Sequence, residues 1–132
     1  MPEQHLLVAG ASGVIGKAVV ESFADAGWQV STVGRSTTAP SRFPHLTADL
    51  LKPETLDASK ASLKPVTHLF YSALKPDSDP GVEADENAAM LENLVAALRD
   101  SGASLKRITI VQGGKIYGAQ LGVYKTPARE DD

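Results

Sequence analysis

Three glycines near the start of the chain have the spacing of a phosphate-binding turn. The segment GASGVIG places Gly10, Gly13 and Gly16 three residues apart, directly after an apolar run and at the start of an amphipathic stretch. Glycines there permit a tight turn, close approach of backbone to a pyrophosphate, and close packing of helix on strand. The N–H groups at a helix start also favour an anion. The pattern predicts a dinucleotide-binding turn; the alternative is a strand-to-helix turn that merely uses glycine.

The residue after the second apolar run indicates which dinucleotide would bind. In VSTVGRS no carboxylate follows the run, and Arg35 stands after Gly34. An acidic side chain at this point holds a ribose 2′-hydroxyl, whereas an arginine accommodates a 2′-phosphate. A guanidinium suits a phosphate monoester, and Ser36 adds a hydroxyl donor. We therefore predict NADPH (NADP) rather than NAD, the alternative being that Arg35 is a solvated loop residue.

Two further segments are expected in the same pocket. Asp49 and Leu50 end the third apolar run, where the aspartate could accept from an adenine amino group or, equally, cap a helix beginning near Pro53. Ser72 and Ala73 end the fourth run, where small side chains let the backbone approach ribose and diphosphate. In an open parallel sheet the ligand lies across the carboxyl ends of the strands.

The elements that must position these residues alternate between apolar runs and amphipathic stretches. Strands are predicted over 6–9, 28–33, 46–50, 66–72 and 107–112, and helices over about 12–26, 53–63 and 82–101. The apolar face of the first helix is predicted from residues at helical spacing: Val14, Ile15, Ala18, Val19, Ser22 and Phe23. Strands that are apolar along their whole length predict a parallel sheet with helices on both faces. The expected fold is α/β, a doubly wound parallel-sheet Rossmann domain of about five strands over residues 1–132, without a C-terminal substrate part.

Composition excludes several classes of function. The 132 residues carry a formal net charge of -3 and no cysteine, which excludes disulfides and thiolate sites and gives no basis for nucleic-acid or membrane binding. No leader or membrane-spanning segment is apparent, so a cytoplasmic protein is expected.

The three histidines, His5, His45 and His68, have no metal-ligand spacing and are expected to be structural. Sheet left uncovered beyond the fifth strand would favour self-association, so a homo-oligomer is possible.

Together these residues resemble an extended short-chain dehydrogenase/reductase. GASGVIG, Arg35, the Asp49–Leu50 pair and the Ser72–Ala73 pair match that superfamily. The segments VQGGKIYG and ENAAMLENLVAAL, with LGVYKTPARED near the end, resemble its progesterone 5β-reductase/iridoid synthase-like branch. The resemblance implies NADPH-dependent reduction of the activated double bond of an enone, or of a related carbonyl substrate. The residues that the motifs and this resemblance assign to the cofactor are Gly10, Ser12, Gly13, Val14, Ile15, Gly16, Arg35, Ser36, Asp49, Leu50, Ser72, Ala73 and Gln112.

The resemblance also implies a catalytic role for Lys115, at the substrate oxygen where enolate charge develops; otherwise it is a loop cation. The tyrosine that usually lies four residues earlier is replaced by Val111. A Tyr-x-x-x-Lys string does occur at Tyr71–Lys75, but a strand position and the following Pro76 predict that these side chains do not form a catalytic pair. Tyr117 and Tyr124 could line the substrate entrance or simply pack.

Three functions stay open on the sequence. The first is the cofactor-binding part of an NADPH-dependent enone reductase. The second is a nucleotide-sugar epimerase or dehydratase, against which the missing Tyr-x-x-x-Lys helix argues. The third is a non-enzymatic NADP-binding module or redox sensor, which needs no tyrosine.

Overall fold

A computed structural model describes residues 3–35 and 42–111. Its strands are β1 (His5–Ala9), β2 (Gln29–Gly34), β3 (His45–Thr47), β4 (His68–Tyr71) and β5 (Arg107–Ile110). Its helices are α1 (Val14–Asp25), α2 (Lys60–Leu63), which directly follows a 3-10 helix (Pro53–Ser59), and α3 (Pro80–Asp100). None of the helices among these residues has the length and apolarity to cross a membrane.

The five strands form one parallel sheet in the order β3-β2-β1-β4-β5. Leu6 of β1 pairs with Val30 on one side and with His68 on the other. The strand order therefore reverses at β1, with β2 on one side of it and β4 on the other. The glycine turn, which follows β1, lies between the ends of these two strands. This is the point at which doubly wound folds bind ligands.

Helices cover both faces of the sheet, as predicted. Leu6 and Val8 of β1 pack with Val20 of α1 on one face. Leu7 and Ala9 point the opposite way, into a larger core that contains Leu94 and Leu98 of α3 together with residues of α2 and the 3-10 helix. Alternation along one strand thus supplies two cores, which is why β1 is apolar at successive positions.

The predicted apolar face of α1 is confirmed at Val19 and Phe23, which pack against the core that contains Leu6, Val8 and Val20, and is wrong at its other four positions. Val14 and Ile15 are 89% and 50% exposed, and Ala18 and Ser22 are exposed as well. The buried positions are instead Gly16 and Val20. Gly16 is not among the predicted residues, yet it packs so closely on the backbone of Gly10 and Ala11 that a Cβ there would lie within 2.8 Å of both.

Two strand predictions also need correction. β3 ends at Thr47 rather than Leu50, because the hydroxyl of Thr55 bonds both backbone groups of Asp49 at 2.9 Å and turns the chain into the 3-10 helix. β5 was expected to be buried like the others, but Ile108 and Ile110 are 40% and 45% exposed. Within the described sheet β5 is an outer strand that pairs only with β4.

Candidate cofactor cleft

An open cleft of ≈ 710 Å³ lies at the carboxyl ends of the strands. The sequence-predicted residues that line it are Gly10, Ser12, Gly13, Arg35, Asp49, Leu50, Ser72 and Ala73. Val14, Ile15 and Gly16 are not among its lining residues. The first N–H groups of a helix have no acceptor within the helix, so a role for Val14 and Ile15 in binding would fall to their backbone.

The glycine turn is shaped by close contacts between backbone atoms. Gly10 has φ 88°, and a Cβ there would lie 2.6 Å from the carbonyl carbon of Ser72. A Cβ on Gly16 would lie 2.1 Å from the carbonyl oxygen of Gly10. The Gly13 N–H donates to that same carbonyl at 3.2 Å and closes the turn. Side chains at Gly10 and Gly16 are therefore excluded by the fold itself, while the start of α1 opens onto the cleft.

Two cations line the cleft near this turn. Arg35 follows β2 and is exposed, and Lys17, in the first turn of α1, also lines the cleft. Sequence reasoning missed Lys17, although it lies four residues after Gly13, a spacing that puts two helical residues on one face. A positive residue at a helix start is unfavourable for the helix dipole, and an anion in the cleft would offset that cost.

Asp49 and Leu50 form the wall of the cleft that follows β3. The Asp49 Oδ1 accepts the Leu51 N–H at 3.0 Å, so the side chain closes a local turn. It is not a helix cap, because the residue before the 3-10 helix is Lys52 and no side chain caps that helix. Leu50 is buried, and its carbonyl accepts a hydrogen bond from Asn93. Asp49 keeps a carboxylate at the cleft, as the adenine prediction requires.

Ser72 and Ala73 form the opposite wall, after β4. The Ser72 hydroxyl donates to the Ala9 carbonyl at 2.9 Å, which joins this wall to the end of β1. The wall continues through Leu74 to Lys75, whose ammonium lies 3.0 Å from Glu86 of α3. Lys75 and Met90 were also missed; Met90 lies on a helix far along the chain, and no local pattern marks it as part of a cleft.

Tyr71 and Lys75 do not form a catalytic pair. Tyr71 belongs to the large core, where burial raises the pKa of its phenol. Lys75 is held by Glu86 at the cleft. The sequence prediction that this string is not a tyrosine–lysine dyad agrees with these positions.

The histidines take part in separate local contacts. His5 Nε2 lies 2.9 Å from the Ser31 hydroxyl, and His45 Nδ1 lies 2.7 Å from the Thr32 hydroxyl. The ring of His68 packs edge-on against Trp28. Burial lowers the pKa of His5 and of His68, and for His68 the charges of Lys106 and Arg107 lower it further. Within the described residues no cluster of side chains could hold a metal ion.

Several predicted site residues lie outside the described residues. They are Ser36, Gln112, Lys115, Tyr117 and Tyr124. Their assignments stay predictions.

Comparison with known sequences finds one matching family and several relatives of this chain. A model of the "NAD dependent epimerase/dehydratase family" matches residues 6–132. A short chain dehydrogenase of Penicillium aethiopicum is 26% identical over 136 residues, which is 95% of this chain and 36% of the relative. An (S)-8-oxocitronellyl enol synthase of Nepeta cataria is 27% identical over 132 residues, covering 93% of this chain and 33% of the relative. The chain thus spans about a third of the length of these relatives.

Solved structures share the fold. The Bordetella bronchiseptica enzyme WbmG in complex with NAD and UDP has a TM-score of 0.73 and 22% identity, over 98% of this chain and 43% of that one. The UDP-glucose 4-epimerase of Thermus thermophilus, in complex with NAD, has a TM-score of 0.61 and 25% identity, over 76% and 35% of the two chains. The parallel sheet with helices on both faces is therefore a Rossmann-like α/β fold.

Proposed function

Because the chain belongs to the NAD dependent epimerase/dehydratase family, we propose that it binds a nicotinamide dinucleotide, specifically NADPH, in the cleft at the glycine turn. The turn supplies backbone N–H groups and close access for a pyrophosphate. The cleft spans β1, the point where strand order reverses, as dinucleotide sites do in this type of fold. Structural relatives with NAD bound, including the Thermus thermophilus epimerase, support a nicotinamide cofactor.

The observation that carries the choice of NADPH is Arg35. It lines the cleft directly after β2, where an NAD-binding protein would present a carboxylate to the ribose. Lys17 adds a second positive charge to the same cleft. The Asp49 carboxylate is engaged with the Leu51 N–H, after β3 rather than β2. Charge at the end of β2 is therefore positive and suits a 2′-phosphate.

The test is the binding of NADPH and NADH to Arg35→Ala. Loss of a charge-assisted hydrogen bond of about 1.5–3 kcal/mol predicts a rise of roughly 10- to 150-fold in the Kd for NADPH. The Kd for NADH should change by less than about threefold, because NADH lacks the phosphate that Arg35 would contact. Both constants can be measured by fluorescence titration or calorimetry.

Arg42→Ala is the matched control. It removes the same charge from an exposed arginine that pairs with Glu21 at 3.2 Å and does not line the cleft. Both cofactors should bind this variant as they bind the wild type. Equal weakening of NADPH and NADH by Arg35→Ala would contradict the 2′-phosphate assignment.

For the reaction, we propose that this chain is the cofactor-binding part of an NADPH-dependent reductase that acts on the activated C=C bond of an enone. Similarity to the enol synthase of Nepeta cataria and to a short chain dehydrogenase supports this proposal, as does the segment around Lys115. The bound nicotinamide would supply the hydride. The Lys115 ammonium would stabilise negative charge at the substrate carbonyl oxygen.

Turnover is tested by mixing the protein with NADPH and a simple cyclic enone and following nicotinamide absorbance. Lys115→Ala should abolish any reduction that the wild type performs, while Lys106→Ala, a lysine next to the amino end of β5, should not. NADPH binding without oxidation would instead favour a non-enzymatic NADP-binding module, or a cofactor-binding part that does not turn over by itself. Unchanged enone reduction by Lys115→Ala would contradict the role of that lysine.

A nucleotide-sugar epimerase or dehydratase is the second candidate. The family match and the similarity to UDP-glucose 4-epimerases favour it. One observation argues against it. Such enzymes use a Tyr-x-x-x-Lys pair, and in the Tyr71–Lys75 string the tyrosine lies in the core and cannot serve as that pair's phenol. Conversion of UDP-glucose to UDP-galactose in the presence of NAD, with no oxidation of NADPH by enones, would replace the first proposal by this one.

A further inference from the structure

Helix α3 contacts both walls of the cleft. We name the residues after β3, Asp49–Leu51, the β3 wall, and the residues after β4, Ser72–Lys75, the β4 wall; all of them line the cleft. Neither wall belongs to a strand or helix. Apart from the bond between Asp49 and Leu51 within the β3 wall, contacts from outside hold the backbone of these segments. α3 supplies that support at two points.

Asn87 holds the β4 wall through both backbone groups of one residue. Its Oδ1 accepts the Lys75 N–H at 2.8 Å, and its Nδ2 donates to the Lys75 carbonyl at 2.8 Å. The same Nδ2 donates to the Glu83 carbonyl one turn earlier, at 2.7 Å, which orients the amide. A side chain that satisfies an N–H and a C=O of the same loop residue fixes that residue in position and in orientation.

Asn93 holds the β3 wall. Its Nδ2 donates to the Leu50 carbonyl at 2.7 Å, across 43 residues of sequence. The Leu50 side chain is buried, so this carbonyl sits beside the large core, where an unmet hydrogen bond is costly. The bond therefore ties the turn after β3 to α3.

Met90 lies between the two asparagines and lines the cleft itself. Residues 87, 90 and 93 are spaced by three, which places them along one side of a helix. One stripe of α3 thus presents an amide to each wall and a thioether to the space between them. The strand order puts Arg35 on the side of the β3 wall and leaves the β4 wall across β1 from it.

We propose that Asn87 and Asn93 are positioning residues that set the two halves of the cofactor cleft independently. Asn93 shapes the half that receives the adenosine 2′-phosphate portion, and Asn87 shapes the half that receives the rest of the dinucleotide. The inference rests on the proposed binding of NADPH. It assigns to each asparagine an effect on a different part of one ligand.

The experiment compares NADPH with 2′,5′-ADP, which contains only the adenosine half. Asn93→Ala should weaken both ligands by a similar factor of about 5 to 10, the loss expected for one buried hydrogen bond. Asn87→Ala should weaken NADPH by a similar factor and leave 2′,5′-ADP within about twofold, since the β4 wall lies outside the adenosine half. The deciding quantity is the ratio of the two Kd values, which a uniform loss of stability would not change.

Glu92→Ala, an exposed position on α3 between the two asparagines, is the control and should change neither Kd. Hydrogen exchange of the backbone gives a readout that needs no ligand. Asn87→Ala should speed exchange at residues 73–75 and not at 50–51, and Asn93→Ala should do the reverse. Equal effects of both variants on both walls, or an unchanged ratio of Kd values in Asn87→Ala, would overturn the inference. Wild-type protein that binds neither ligand would contradict the NADPH proposal, and separate responses of the two walls in exchange would still support the positioning roles.

Discussion

The glycine turn and the cationic rim of the cleft, formed by Lys17 and Arg35, are built in opposite ways. At Gly10 a Cβ would lie 2.6 and 2.7 Å from backbone atoms of Ser72 and Ala73, so the turn consists of backbone packed on backbone. The rim consists of two exposed side chains that border an open cleft. The turn should thus matter for folding as well as for the proposed binding of NADPH, whereas the rim should matter only for that binding. Substitutions in the two regions should separate stability from affinity.

The largest effect is expected for Gly10→Ala, compared with Gly27→Ala. Both glycines have positive φ, 88° and 91°, so alanine meets similar backbone strain at both, about 1–2 kcal/mol. A Cβ at Gly27 meets no atom within 4 Å. At Gly10 the overlap with backbone adds about 1–3 kcal/mol, as overpacking does elsewhere. Urea unfolding should therefore show a clearly larger loss for Gly10→Ala.

The difference between Gly10→Ala and Gly27→Ala tests whether the glycine turn is held by backbone packed on backbone. Equal losses for the two alanine variants would mean that only strain matters at Gly10. The claim that the turn is built by contact with the end of β4 would then fail.

Gly13→Ala should divide stability from binding within the turn itself. Gly13 has φ -77°, and a Cβ there meets only the Gly10 carbonyl, at 3.5 Å. Reduced freedom of the unfolded chain and the poorer capping by alanine oppose each other, so the free energy of unfolding should change by less than about 1 kcal/mol. Because Gly13 lines the cleft, the added methyl should hold a pyrophosphate away from the backbone. We expect the Kd for NADPH to rise by about tenfold or more, the equivalent of about 1.4 kcal/mol; an unchanged Kd would contradict the placement of the pyrophosphate.

Lys17→Ala should have a smaller effect, on affinity alone. An exposed charge contributes about 0.2–1 kcal/mol, which predicts a loss of roughly 1.5- to 5-fold in NADPH affinity that shrinks as salt rises. Unfolding should be unaffected or slightly improved, because a positive charge is removed from the start of α1. Lys60→Ala, an exposed lysine of α2 that does not line the cleft, is the control. A loss of stability in Lys17→Ala without loss of affinity would reverse its assignment to the rim.

The same contrast explains what the sequence could predict. The location of Gly10, Gly13 and Arg35 at the cleft could be predicted because local spacing indicates it: two glycines in a turn between strand and helix, and a cation directly after β2. The order of elements also predicted the parallel sheet and its two covered faces. The apolar face of α1 was misjudged because Gly16 presents no side chain, and its packing on Gly10 depends on tertiary contact. Met90, Asn87 and Asn93 were missed since nothing near them in sequence indicates that α3 reaches both walls.

Tyr71 lies beside the glycine turn but belongs neither to it nor to the rim, and its substitution should have the smallest effect. It lies one residue before Ser72, which touches the glycine turn, but its side chain is only 5% exposed and belongs to the core. Within the described residues its buried hydroxyl has no hydrogen-bond partner. Tyr71→Phe should therefore leave the free energy of unfolding at neutral pH unchanged or raise it by up to about 1 kcal/mol. NADPH binding, and any enone reduction, should be retained.

Tyr71→Phe should also change how the free energy of unfolding depends on pH. Burial raises the pKa of the Tyr71 phenol above its ordinary value of 10.0, so the folded protein keeps a proton that the unfolded chain releases. The contribution of Tyr71 to stability is complete below pH 10.0 and is lost as the pH rises from there towards the folded-state pKa. In that window the wild type should lose stability relative to Tyr71→Phe by about 1.4 kcal/mol per pH unit, while the other tyrosines cancel in the difference. A difference that stays constant across this window would show that the Tyr71 phenol reaches solvent. Loss of turnover in Tyr71→Phe with NADPH binding intact would show that the phenol contacts the substrate. Either result would place Tyr71 at the cleft.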